Sequence, residues 1–109
     1  MDSLKNILES AGIPAQRGVY NGRDKPKAYY TFFRMLQGAA VNADDVTTNE
    51  RELYRVTLFY KGDFEEQLKK TKKVLKDAGC YINSVDSESY ENDTGYWLIP
   101  INVEILKEE

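Results

Sequence analysis

Glu52-Leu53-Tyr54-Arg55-Val56-Thr57-Leu58-Phe59-Tyr60 is the stretch that decides how this chain folds. Tyr54, Val56, Leu58 and Tyr60 fall on one side of an extended chain and Leu53, Arg55, Thr57 and Phe59 on the other. That period of two belongs to a strand, not a helix. Apolar or aromatic groups occur on both sides, which places the strand centrally in a sheet.

Just downstream, Gly62 breaks the strand, and Asp63 followed by Glu66 forms a capping-box-like helix start in which Asp63 accepts from backbone N–H groups. Phe64, Leu68, Thr71, Val74, Leu75 and Ala78 then share one helical face, Lys69, Lys70, Lys72, Lys73 and Lys76 cover the rest, and Gly79 is the stop. Upstream, Ala28 to Leu36 also alternates, with Tyr30, Phe32 and Arg34 on one face and Tyr29, Thr31, Phe33 and Met35 on the other. Between these two strands Gln37 to Arg51 shows no sustained period and reads as a long loop, a feature that in a small domain is usually functional.

The chain opens with Asp2-Ser3 as a cap and Leu4, Ile7, Leu8 and Ala11 at helical spacing, closed by Gly12 and Pro14. Arg17 to Lys27 has turn chemistry, with a short edge strand expected at Val19-Tyr20. Tyr81 to Tyr90 reads as one strand, and a turn from Glu91 to Gly95 leads into Tyr96 to Leu106, where Trp97, Ile99, Ile101, Val103 and Ile105 share a face. Pro100 cannot donate to a ladder, so it is expected at an edge position or a bulge.

The order α-β-β-α-β-β predicts an α+β fold: a mainly antiparallel sheet of about four strands with two helices packed on one face. The other face keeps more Tyr, Thr and Phe than one helical layer covers and is expected to meet another subunit. The chain has 109 residues, 41% hydrophobic, 30% charged and 12% aromatic, which fits a single domain over 1–109 with a core of its own.

With no histidine and one cysteine, neither a Ser-His-Asp or Cys-His nucleophile nor a His/Cys zinc site can be built, and Cys80 cannot form an internal disulfide. Cys80 reads as a small half-buried thiol beside a helix end, in a reducing compartment. Met1 to Ser10 carries Asp2, Lys5 and Glu9 where a signal core would be apolar, and no stretch approaches the ~20 apolar residues of a membrane span, so neither export nor a membrane partner is expected.

The glycines are isolated turn or cap residues and compose no phosphate loop or dinucleotide fingerprint. Asp44, Asp45, Asp86, Glu88, Glu91 and Asp93 match no calcium loop and read as solvated carboxylates. The helix lysines, with Tyr29, Phe33 and Tyr60 as stacking platforms, raise the alternative of a small RNA- or peptide-binding regulatory module. Against this, lysines opposite an apolar stripe are an ordinary solvated face, and a net charge of −3 from 15 Lys+Arg and 18 Asp+Glu argues against specific nucleic-acid binding. No enzymatic activity, metal or cofactor is expected.

A family resemblance enters through a longer pattern. Ser10-Ala11-Gly12-Ile13-Pro14 ends the first helix; Pro26-Lys27-Ala28-Tyr29-Tyr30-Thr31-Phe32, the loop with Ala43-Asp44-Asp45, and Tyr54-Arg55-Val56-Thr57-Leu58-Phe59-Tyr60 follow. Together with the helix Phe64 to Ala78, Gly79-Cys80-Tyr81 and the Glu91 to Tyr96 hairpin, this resembles the small tail-terminator or head-tail joining (tail completion) proteins of long-tailed bacteriophages and Gram-positive prophages. The resemblance spans nearly the whole chain and rests on element order and hydrophobic phrasing.

It implies a structural virion-assembly protein, made in the host bacterial cytoplasm and ending in the virion. Its partners would be further copies of itself, in a ring that is typically hexameric on the tail, the tail tube protein and the head connector. Such a ring needs two different complementary surfaces per subunit. The candidates are Tyr29, Thr31, Phe33, Arg55 and Thr57 on the spare sheet face, Arg34 and Arg51 as pairing cations, and Asp44 and Asp45 in the long loop.

Overall fold

The computed structural model describes residues 3–20, 25–39 and 50–107. Its elements are α1 (Leu4–Glu9), β1 (Ala15–Arg17), β2 (Ala28–Ala39), β3 (Glu50–Tyr60), α2 (Glu65–Asp77), β4 (Tyr81–Val85), β5 (Ser89–Tyr90) and β6 (Trp97–Lys107). The fold is α+β, and among the described residues the sheet has six strands, not four. They run in the order β1-β2-β3-β6-β4, with β5 also on β6, and all pairings are antiparallel except β1 with β2.

Both helices form where local chemistry supports them. The Ser3 hydroxyl accepts from the Asn6 N–H at 3.3 Å, and Leu4, Ile7 and Leu8 of α1 are buried. At the start of α2 the expected capping box is not formed: the N-cap is Phe64, which has no side-chain cap bond, and Asp63 Oδ1, one residue earlier, accepts from the Glu65 N–H at 3.1 Å. At its end Gly79 takes φ +86°, which lets its own N–H reach the Lys76 carbonyl and the Cys80 N–H reach that of Leu75, both at 3.0 Å. This six-to-one and five-to-two pair is the Schellman stop, with Leu75 and Cys80 buried together beneath it.

The two helices cover one side of the sheet. Tyr30 and Phe32 of β2, Tyr54, Val56 and Leu58 of β3, and Ile99, Ile101, Val103 and Ile105 of β6 are buried in one cluster with Leu4, Ile7 and Leu8 of α1 and Leu75 of α2. The register sets these side by side, Tyr30 opposite Leu58 and Leu58 opposite Ile99, so the alternation in each strand delivers its apolar members to the same face.

The core also holds polar groups. Gln67 Nε2 donates to the Ala11 carbonyl and to Tyr30 Oη, each at 3.1 Å, and the Thr71 hydroxyl donates to the Gln67 carbonyl at 2.7 Å. Thr71 has then used its only hydrogen, so the contact between Tyr30 Oη and Thr71 Oγ1 has Tyr30 as donor. The chain of bonds ties α1, β2 and α2 together. Glu52 is buried as well; its carboxylate accepts from Arg34 and from the Tyr54 hydroxyl, both at 3.0 Å.

Several expectations are corrected. The short edge strand lies at Ala15–Arg17, not at Val19-Tyr20; it runs parallel to β2 and ends at Gly18, whose φ of +84° turns the chain and whose N–H bonds the Phe32 carbonyl. The loop expected at 37–51 is shorter, because β2 and β3 stay paired out to Ala39 opposite Glu50. A bulge between Arg34 and Leu36 resets the alternation there, which is why the period fades in the sequence while the ladder continues. Residues 40–49, with Asp44 and Asp45, lie outside the described residues.

Tyr81 to Tyr90 is two strands, β4 and β5, separated at 86–88. Pro100 sits in β6, paired with Thr57 of β3 on one side and with no residue of β4 or β5 on the other, so within an interior strand it holds the locally unpaired position expected of it. Its carbonyl accepts from the Asp86 N–H at 2.8 Å, so its ring nitrogen faces the β4–β5 gap, where no ladder donor is required.

Candidate functional site

The side of the sheet away from the helices is built by register. Thr31 pairs with Thr57 and Thr57 with Pro100; Phe33 pairs with Arg55 and Arg55 with Asn102; Leu36 pairs with Leu53 and Leu53 with Glu104; Arg51 pairs with Leu106, and Glu104 with Tyr81. Phe33, Leu36, Leu106 and Tyr81 are exposed there, the first at 48% and the last at 57%. Thr31, Leu53, Arg55 and Thr57 are half-buried by their neighbours alone.

Charged groups thread through this surface. Arg55 Nε donates to Asn102 Oδ1 at 2.8 Å while its guanidinium lies 3.4 Å from Asp86, and Arg51 lies 3.9 Å from Glu104. Asn102 in turn donates to Ser84 and Asp86 at 2.8 and 3.2 Å. The patch thus mixes exposed aliphatic and aromatic groups with Arg–carboxylate pairs.

Of the residues singled out in the sequence, Thr31, Phe33, Arg51, Arg55 and Thr57 share this face. Arg34 does not: it projects on the helix-covered side, where it pairs with Glu52. Tyr29 faces the open side but is buried, so it offers a partner little surface. Leu36, Leu53, Leu106 and Tyr81 were not singled out. The alternation already placed Leu53 on the spare face, whereas Leu36 is brought there by the bulge and Tyr81 by long-range pairing with Glu104.

Tyr29 lies at one end of the face in an aromatic cluster. Its ring stacks on Phe59 at 4.5 Å and 7°, meets Tyr96 edge-on at 5.4 Å and leans on Tyr20 at 4.7 Å. The Tyr96 hydroxyl donates to the Pro26 carbonyl at 2.6 Å, and Lys61 lies 4.8 Å from the Tyr96 ring. A cleft of about 190 Å³ opens beside these rings, edged by Lys25 and Glu91.

Burial pushes the Tyr29 phenol up to about 12, with Tyr96, Glu91 and Tyr20 adding to it; burial raises Tyr30 and Tyr96 as well. A folded-state value above the unfolded one means that the folded chain holds its proton longer. Stability is therefore intact below pH ~10 and falls as the pH climbs from ~10 toward 12. Absorbance at 295 nm should show part of the eight tyrosines ionising late, together with alkaline unfolding. All eight titrating near pH ~10 in the folded protein would contradict this placement of the rings.

Cys80 is buried beyond the half-burial expected, and burial raises its thiol pKa, so it is held as an unreactive core group. Among the described residues no group of three or more Asp, Glu, Cys or His is arranged to hold a metal, and no helix is long and apolar enough to cross a membrane. The chain matches no protein-family model and no curated protein sequence.

Proposed function

We propose that this chain is a structural subunit of a bacteriophage or prophage virion, a tail terminator or head-tail joining protein that closes a ring at the top of the tail tube. Its partners in this reading are neighbouring copies, the tail tube protein and the head connector, and it performs no catalysis. The observation that carries the reading is the open sheet face, where Phe33, Leu36, Leu106 and Tyr81 stand exposed among Arg–carboxylate pairs on a domain whose other face is closed by its own helices. The sequence resemblance supplies the assembly in which such a face would be covered.

The RNA-binding alternative loses support from the same geometry. Tyr29 is buried, and Tyr60 belongs to the helix-covered side, opposite Phe33, so the three rings form no common stacking platform.

The test is a gene deletion in the phage or prophage that encodes the chain. Without it, tails of uncontrolled length or unjoined heads and tails are expected in electron micrographs. The wild-type gene should restore joined virions, and a Phe33→Asp/Leu36→Asp gene should not, although that purified protein keeps the wild-type melting temperature. Normal virions from the deletion strain would end this assignment.

A further inference from the structure

The charges of this protein are sorted by region. From Ala78 to Leu106 there is no lysine or arginine, while Asp86, Glu88, Glu91, Asp93 and Glu104 all lie there. The opposite excess, five lysines against Glu65, Glu66 and Asp77, sits on α2, where Lys69, Lys73 and Lys76, spaced i, i+4, i+7, form its outermost row, opposite the buried Gln67, Thr71 and Leu75.

These two regions do not neutralise each other inside one molecule. Among the described residues, the ion pair made by the lysine row is Lys73 with Asp77 on the same helix. On the acidic side, cations from elsewhere in the chain meet several of the carboxylates: Asp86 turns to Arg55, Glu104 lies 3.9 Å from Arg51, and Glu91, which accepts from the Thr94 hydroxyl at 2.8 Å, edges the same cleft as Lys25. Glu88 and Asp93 are exposed in the 86–88 link and the turn before β6, and no lysine of α2 reaches them.

We propose that the α2 lysine row of one copy docks on the acidic margin around Glu88 and Asp93 of the next copy. The occupant is a second copy because the chain itself carries both halves of the complementary pair. Lysine row against lysine row, or margin against margin, would repel, so two-fold pairing through either surface is disfavoured. Where the contact is not reciprocated within one pair of copies, it builds head-to-tail arrays, which close into rings or run on as filaments; sedimentation that stops at a dimer would mark the reciprocated pair and remove the ring. The contact deepens the ring reading by naming what joins neighbours, and it rests on that reading only for its location on a tail.

Such a contact is weak alone and screened by salt, because the Debye length shrinks from about 10 Å at 0.1 M to about 3 Å at 1 M. Free protein should therefore be largely monomeric when dilute, with mass rising with concentration at low salt and falling back at high salt. A tail presenting several sites side by side would raise the effective concentration seen by each neighbour.

Sedimentation velocity of the full chain from micromolar to millimolar, at low and high salt, is the experiment. Lys69→Glu/Lys76→Glu and Glu88→Lys/Asp93→Lys should each weaken self-association by at least about tenfold, with far-UV circular dichroism unchanged since all four positions are exposed. Mixing the two variants should restore association, because each reversed surface meets its opposite, and so should the quadruple variant. Salt-independent association, association that survives both double variants, or no association by the wild type at millimolar concentration and low salt would each overturn the proposal. Charge-linked association in a protein whose gene proves dispensable for tails would leave this contact standing and remove the tail assignment.

Discussion

Leu58→Ala should destabilise the domain by about 3 kcal/mol, within the 2–5 kcal/mol range of buried leucine truncations. Leu58 is fully buried at the centre of the sheet, flanked in register by Tyr30 of β2 and Ile99 of β6 and roofed by the helices. Removing its terminal carbons forfeits their transfer free energy. The void they leave cannot collapse readily, because both neighbouring strands are held in place by ladder hydrogen bonds. Against a total stability of roughly 5–15 kcal/mol, that loss is a large fraction.

Leu106→Ala is the matched control. It removes the same atoms from an exposed position on the open face and should change stability by no more than about 0.5 kcal/mol in the free protein. Urea unfolding with a shared m-value measures both. A Leu58→Ala loss below about 1 kcal/mol would mean that β3 is not the central strand of this core.

The second large effect concerns the buried bonds among Tyr30, Gln67 and Thr71. Tyr30→Phe keeps the ring but takes away the acceptor for one Gln67 N–H and the donor to Thr71 Oγ1. Buried groups left unpaired in this way cost about 1–3 kcal/mol. Thr71→Val keeps the volume and removes the hydroxyl that links Tyr30 to the Gln67 carbonyl.

Because the two changes break one shared bond, the double variant should lose less than the sum of the singles, by about 1 kcal/mol. Additivity to within ~0.3 kcal/mol would show that the hydroxyls of Tyr30 and Thr71 do not interact in solution. Gln67→Leu should be more damaging than its exposed neighbour Lys70→Leu, since it also leaves the Ala11 carbonyl at the end of α1 without its donor.

What the chain announces locally was legible residue by residue. The alternation of β3, the apolar row of β6, the stripe and stop of α2 and the cap of α1 all depend on near neighbours in the sequence, whose period and turn chemistry are set by backbone geometry alone. The same alternation sorted the two faces of β3, and of β2 as far as Arg34, correctly, which is why Thr31, Phe33, Arg55 and Thr57 fall together on the open face.

The rest needed contacts between distant residues. Gln67 and Glu52 look like surface residues in sequence, and partners far along the chain, Ala11 and Tyr30 for the first and Arg34 for the second together with nearby Tyr54, make their burial tolerable. Tyr29 looked available until Phe59 and Tyr96 were brought onto it. Strand order, the parallel β1 and the gap opposite Pro100 are likewise properties of the assembled sheet. Periodicity tells each strand which side to bury. Which strands become neighbours is decided by the combined packing of all of them, and that free energy is defined only in three dimensions.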